Sequence, residues 1–113
     1  MNIQIFGSKK DFDTKKAERY FKERGIKIQY VDMKEKGLSK GEFNSVCQAV
    51  GGYEKLIDPK CKDKDLLALI RYIAEEDRAE KILENQKVIR TPIVRNGKQA
   101  TVGYQPDVWK GWK

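Results

Sequence analysis

Few residues in this chain can carry covalent chemistry. It has two cysteines, Cys47 and Cys61, and no histidine. A thiol reacts as its thiolate, which neighbouring cations favour. Cys61 lies between Lys60 and Lys62, with Lys64 close by, and reads as either an exposed cysteine or a reactive thiol. Cys47 falls at helical spacing from Phe43, Val46 and Val50, so it reads as a small core residue. Without histidine the chain lacks the commonest general base and metal ligand, and no metal centre is expected. A second group of charges crowds one short stretch: Lys9, Lys10, Asp11, Asp13, Lys15 and Lys16. Asp11 could serve as an acid or base, but its simpler role is to cap a following helix. The lysines either hold an anion or an acidic peptide, or are simply solvated.

A third stretch, Val88 to Lys98, contains Thr91-Pro92 before a β-branched run and then Asn96-Gly97. Proline has no N–H to give to a ladder and sits at strand starts, edges or bulges. Asn-Gly between apolar runs signals a hairpin turn of type I′. The expected hairpin runs from Pro92 to Arg95 and returns from Gln99 to Val102. Its X-Pro entrance is a candidate for the cis form.

The elements that must position these groups follow from hydrophobic spacing. Asn2 to Phe6 alternates apolar and polar residues and reads as a strand ending at Gly7. Ser8 to Asp13 is a polar loop, and a helix is predicted from about Thr14 to Arg24, capped by Asp13 or Asp11 and closed by Gly25. Ile26 to Val31 alternates again, which completes a βαβ unit with parallel strands. Ser39-Lys40-Gly41-Glu42 is a capping box opening a second helix that Gly51-Gly52 stops. Leu56 to Cys61 is a connector. The apolar spacing from Asp65 to about Asn85 fits one long helix or two short ones. Pro106 opens a last helix with Trp109 and Trp112, which either seal the sheet or form an interface.

Length and charge set the outer bounds. A chain of 113 residues makes one domain with a single core. No apolar run is long enough to span a membrane and no signal peptide opens the chain, so a cytoplasmic location is expected and no membrane partner. The net charge of +7 is uneven: residues 1–36 carry ten Lys/Arg against six Asp/Glu, and residues 86–113 carry six against one. Such a surface attracts anions, an acidic protein or nucleic acid. No zinc signature, basic-aromatic strand or recognition helix is present, so direct nucleic-acid binding is not expected.

The order of elements fits an α/β fold: a thioredoxin-like, four-stranded mixed sheet built from βαβ, a β-hairpin and a closing helix. In that reading residues 1–113 form one thioredoxin-like domain, with a helical insertion at about 38–86 before the third strand. The loop after the first strand then faces Thr91-Pro92, which favours a cis bond there.

The details resemble the arsenate reductase family, which also contains the Spx-type transcription regulators. Phe6-Gly7 followed by Lys15-Lys16-Ala17 is similar to the family's Tyr-Gly-x-x-x-Cys-x-x-x-Lys-Lys-Ala opening. Arg24-Gly25-Ile26, Thr91-Pro92-Ile93-Val94 and Val102-Gly103-Tyr104 with Trp109 resemble later family segments, in order along the whole chain. The resemblance implies a catalytic cysteine at the position filled here by Asp11. It implies an arginine where Thr91 stands, with Arg90 one place earlier, and another where Lys60 stands. A carboxylate can neither form a thiol-linked arsenate adduct nor take part in redox exchange. The expected role is therefore binding or regulation, with Lys9, Lys10, Lys15, Lys60, Arg90, Thr91 and Pro92 as candidates for meeting an anion or a protein partner. Two alternatives stay open. One is a glutathione- or glutaredoxin-linked oxidoreductase or arsenate reductase using Cys61; no cofactor is expected, apart from glutathione if this enzymatic alternative holds. The other is a Spx-type regulator contacting RNA polymerase.

Overall fold

In the computed structural model, which describes residues 1–112, four strands form one mixed sheet. In chain order, β1 is Ile3–Gly7, α1 is Phe12–Glu23 and β2 is Ile28–Asp32. Between β2 and β3 lie α2 (Lys40–Val50), a short 3-10 turn, α3 (Lys64–Tyr72) and α4 (Glu75–Glu84). The hairpin β3 (Ile93–Asn96) and β4 (Gln99–Val102) follows, and α5 (Pro106–Trp109) closes the fold. The sheet order is β2-β1-β3-β4, with β1 parallel to β2 and antiparallel to β3. This is the thioredoxin-like arrangement that the element order implies.

Strand alternation divides the core between the two faces of the sheet. Ile3, Ile5 and Val94 pack with Ala17, Tyr20 and Phe21 of α1 and with Trp109 and Trp112. Phe6, Val31 and Ile93 point the other way, onto Phe43 and Val46 of α2, Leu67 and Ile70 of α3 and Ile82 of α4. Trp109 is 2% exposed, its ring lies 5.1 Å from that of Phe21, and its Nε1–H donates to Thr101 Oγ1 at 2.8 Å. Both tryptophans therefore seal the sheet.

Several boundaries differ from the sequence reading. Helix α1 begins two residues earlier than Thr14, because Asp11 is the cap rather than Asp13. Phe12 thus occupies the first turn but faces solvent, 78% exposed. The apolar span from Asp65 takes the two-helix form that the sequence reading left open, broken at Ile73-Ala74 without any Gly or Pro. Arg78 reaches back from α4 to close the first of them, donating to Ile73 O at 3.2 Å and Arg71 O at 2.9 Å. The hairpin turn is also shifted. Asn96 pairs with Gln99 inside the ladder, so Gly97 and Lys98 are the central residues. Only Gly97 has positive φ, +61°, which is the type II′ pattern and not type I′.

Candidate functional site

The site grows from the loop that joins β1 to α1. Gly7 ends the strand under the first turn of the helix, where an added Cβ would lie 2.5 Å from the buried Thr14 side chain. Glycine is therefore what lets the helix approach the strand so closely. The loop then turns on itself, with Asp11 N–H donating to Ser8 O at 3.0 Å.

Asp11 holds three pieces of chain together. Its Oδ1 accepts from Asp13 N–H at 3.3 Å, the helix-cap bond. Its Oδ2 accepts from Thr14 Oγ1 at 2.8 Å and from Thr91 Oγ1 at 2.7 Å. Both hydroxyls donate, which suits a carboxylate that can only accept. The Thr91-Pro92 bond is cis and faces this loop, so the two distant stretches meet as expected. Pro92 is buried beneath the site, and its carbonyl accepts from Gly103 N–H at 2.8 Å.

The second wall comes from the connector before α3. Ile57 and Ile89 form an isolated antiparallel bridge, with Asp58 N–H donating to Val88 O and Arg90 N–H to Leu56 O, each at 2.7 Å. That bridge places Asp58-Pro59-Lys60 beside Arg90. Asp58 Oδ1 accepts from Lys60 N–H at 2.9 Å and shapes the turn. The Arg90 guanidinium lies over Gly103, where a Cβ would come within 2.9 Å of Nη2. Arg90 is thus anchored at its base but keeps an exposed head.

Asp11, Asp13, Asp58, Pro59, Lys60, Arg90 and Thr91 line a cleft of about 400 Å³. Three carboxylates face two cations there. Of the residues singled out from sequence, Asp11, Lys60, Arg90 and Thr91 come together. Lys9, Lys10 and Lys15 are exposed and lie outside the lining. Cys61 is half-buried, also outside it, and its thiol contacts Lys87 O at 3.6 Å. Cys47 packs against the larger core, where burial, with a smaller push from Glu54, raises its thiol above the ordinary value.

Sequence reasoning overlooked Asp58 and Asp13 as cleft carboxylates and Thr14 as a partner of Asp11. The Asp11-x-x-Thr14 spacing was a usable signal, since residues three apart on a first helical turn are neighbours. Nothing local marks Asp58, because its place depends on the Ile57–Ile89 bridge. No group of His, Cys, Asp and Glu among the described residues is arranged to hold a metal ion. No helix among the described residues is long and apolar enough to cross a membrane.

Comparison with known proteins points one way. The ArsC family model matches residues 6–112. An uncharacterized protein, YusI of Bacillus subtilis, is 22% identical over 111 residues, covering 95% of this chain and 94% of its own. Among solved structures, an ArsC family related protein from Bacteroides fragilis superposes with a TM-score of 0.84 at 18% identity, covering 100% of this chain and 98% of that one. An arsenate reductase from Vibrio cholerae gives 0.80 at 22% identity, covering 96% and 94%. At these identities the superpositions speak for the fold.

Proposed function

The chain belongs to the ArsC family, and we propose that it acts there by binding a protein partner in the cytoplasm, in a regulatory role, rather than by reducing arsenate. One observation carries this reading. Where the family resemblance calls for a nucleophilic cysteine stands Asp11, and its carboxylate is already engaged by one amide and two hydroxyls. A carboxylate has no sulfur with which to form an adduct or a mixed disulfide. The cleft also opposes an oxyanion, since Asp13 and Asp58 join Asp11 against Lys60 and Arg90. Carboxylates lining the same cleft work against the entry of a further anion.

The role of Asp11 is to hold the loop, α1 and the entrance of β3 in one arrangement. The cleft then presents fixed charges of both signs, which suits recognition of a polar protein surface. No cofactor and no direct nucleic-acid contact belong to this reading. The helical segment at about 38–86 supplies the Asp58–Lys60 wall and makes one domain with the rest of residues 1–113.

The competing reading puts a thiol-dependent reductase on Cys61. It is adjacent in sequence to Lys60, which lines the cleft, but its thiol contacts the Lys87 carbonyl instead. A coupled arsenate-reduction assay with glutathione and glutaredoxin separates the two. No turnover is expected from the unmodified protein, Cys61→Ser or Asp11→Ala. Turnover that disappears in Cys61→Ser and survives in Asp11→Ala would overturn the binding reading.

A further inference from the structure

A second surface, on the α1–α5 side, shares no lining residue with the Asp11 cleft. Phe12, Lys16, Arg19 and Glu23 recur at four- and three-residue spacing and so lie along one side of α1. From Phe12 to Glu23 that side runs for about 16 Å at 1.5 Å per residue. Its Lys16, Arg19 and Glu23 face Tyr104, Pro106, Asp107 and Lys110 across a groove of about 460 Å³, with Arg24 at one end; Phe12 lies on the same side of α1, outside the groove lining.

Two features of this strip bear on what it could hold. The first is a concentration of cations along one groove. Among the described residues no ion pair engages Lys16, Arg19 or Arg24, and Lys110 only approaches Asp107 at 3.8 Å on the open surface. The second is aromatic area kept in water. Phe12 is 78% exposed and Tyr104 is 39% exposed. Lys16 Nζ lies 5.6 Å from the Tyr104 ring, and the Arg24 guanidinium stacks 3.7 Å over Tyr20. Tyr104 is held edge-on to the buried Trp109, with centroids 5.5 Å apart, so its ring is a fixed platform.

We infer that this strip docks an acidic protein segment carrying apolar or aromatic side chains. Carboxylates of the partner would meet Lys16, Arg19 and Lys110, while its apolar residues would cover Phe12 and Tyr104. Such a pairing desolvates the rings and gives ion-pair partners to Lys16 and Arg19, which have none within the described residues, while Lys110 adds to its long 3.8 Å contact with Asp107. Nucleic acid fits less well. A phosphate backbone repeats its charge at every step and would run into Glu23 and Asp107, whereas a peptide can place neutral residues opposite them. The inference goes beyond the proposed function, because the strip would bind whether or not the cleft has any activity.

The test uses the full chain, isotope-labelled, titrated with a synthetic peptide of Glu interspersed with Leu and Phe. Polyglutamate and an oligothymidylate are titrated in parallel. Amide shifts are expected at Lys16, Arg19, Tyr104 and Lys110 and not at Thr91 or Lys60. The mixed peptide should bind more tightly than either comparator and weaken as salt rises. Lys16→Glu with Arg19→Glu should weaken binding about tenfold or more, against 1.4 kcal/mol per decade. If circular dichroism shows that this pair unfolds, Phe12→Ala with Tyr104→Ala replaces it, with about a fivefold loss expected. Unchanged affinity in the folded variant, shifts that map to the cleft, or tighter binding of oligothymidylate on the same residues would each overturn the inference.

Discussion

At the scale of single residues, Asp11 decides how the β1–α1 loop is held. It caps α1 and receives the hydroxyls of Thr14 and Thr91, so removing it should be felt in stability rather than in turnover. Asp11→Ala is expected to cost about 2 kcal/mol, a lost cap plus two hydroxyls left without an acceptor. Urea unfolding measures this, and a loss below a few tenths would mean that the three bonds contribute little. Asp11→Cys asks a different question. A thiol there sits at a helix N-terminus near Lys60 and Arg90, where the thiolate is favoured. That variant should react with a disulfide probe much faster than the unmodified protein, whose Cys47 is packed against the core and whose Cys61 faces a carbonyl. Equal rates would mean that the position does not activate a nucleophile. That the Asp11 loop meets Thr91-Pro92 was legible from the fold. The hydrogen bond from the Thr91 hydroxyl to Asp11 was not, because 80 residues separate the two and no local pattern pairs them.

Among the elements, α2 offers the clearest test. Ser39 Oγ accepts from Glu42 N–H at 3.2 Å and Glu42 Oε1 accepts from Ser39 N–H at 2.9 Å, a closed capping box. Burial works against the Glu42 carboxylate, but the Ser39 amide and hydroxyl, with Arg95 and Lys36 behind them, hold it below the ordinary 4.5. A depressed carboxyl stabilises the fold fully above its unfolded value and loses that contribution as pH falls through the folded one. Ser39→Ala should therefore cost about 1 kcal/mol at neutral pH and less near pH 3. Urea melts at the two values check this, and an equal cost at both would contradict it. The box could be read from sequence because a cap is a local pattern of four residues. The span after it left one long helix and two short ones both open. Ile73 and Ala74 are ordinary residues that mark no break, and Arg78 closes α3 from the next helix. The acids Glu75, Glu76 and Asp77 in the first turn of α4 were the available signal, since negative charge favours a helix start. The turn at Gly97-Lys98 shows the same limit. Asn96-Gly97 announced a hairpin, but pairing of Asn96 with Gln99 in the ladder moved the turn by one residue.

Across the whole molecule, the alternation of Ile3, Ile5 and Phe6 sends apolar side chains to both faces, and each face needs its own cover. Trp109 is the keystone of the α1 side, in edge or tilted contact with Tyr20, Phe21 and Tyr104. Trp109→Ala should cost about 4 kcal/mol and Trp109→Phe clearly less, because the second keeps most of the ring volume. A thermal or urea melt unchanged by the alanine would contradict the packing described. The sheet and its order were legible because strand period and the βαβ crossover rule leave few topologies. The cleft was half legible. Its cations Lys60 and Arg90 follow from the family resemblance, whereas Asp13 enters from the first turn of α1 and Asp58 is placed by the Ile57–Ile89 bridge. Those added carboxylates underlie the proposal made above, that this cleft does not take up an oxyanion. Titrating isotope-labelled protein with arsenate at constant ionic strength tests it most directly. The amides of Asp11, Lys60, Arg90 and Thr91 are predicted to show no saturable shift beyond that produced by chloride; a saturable shift confined to those four would contradict the account.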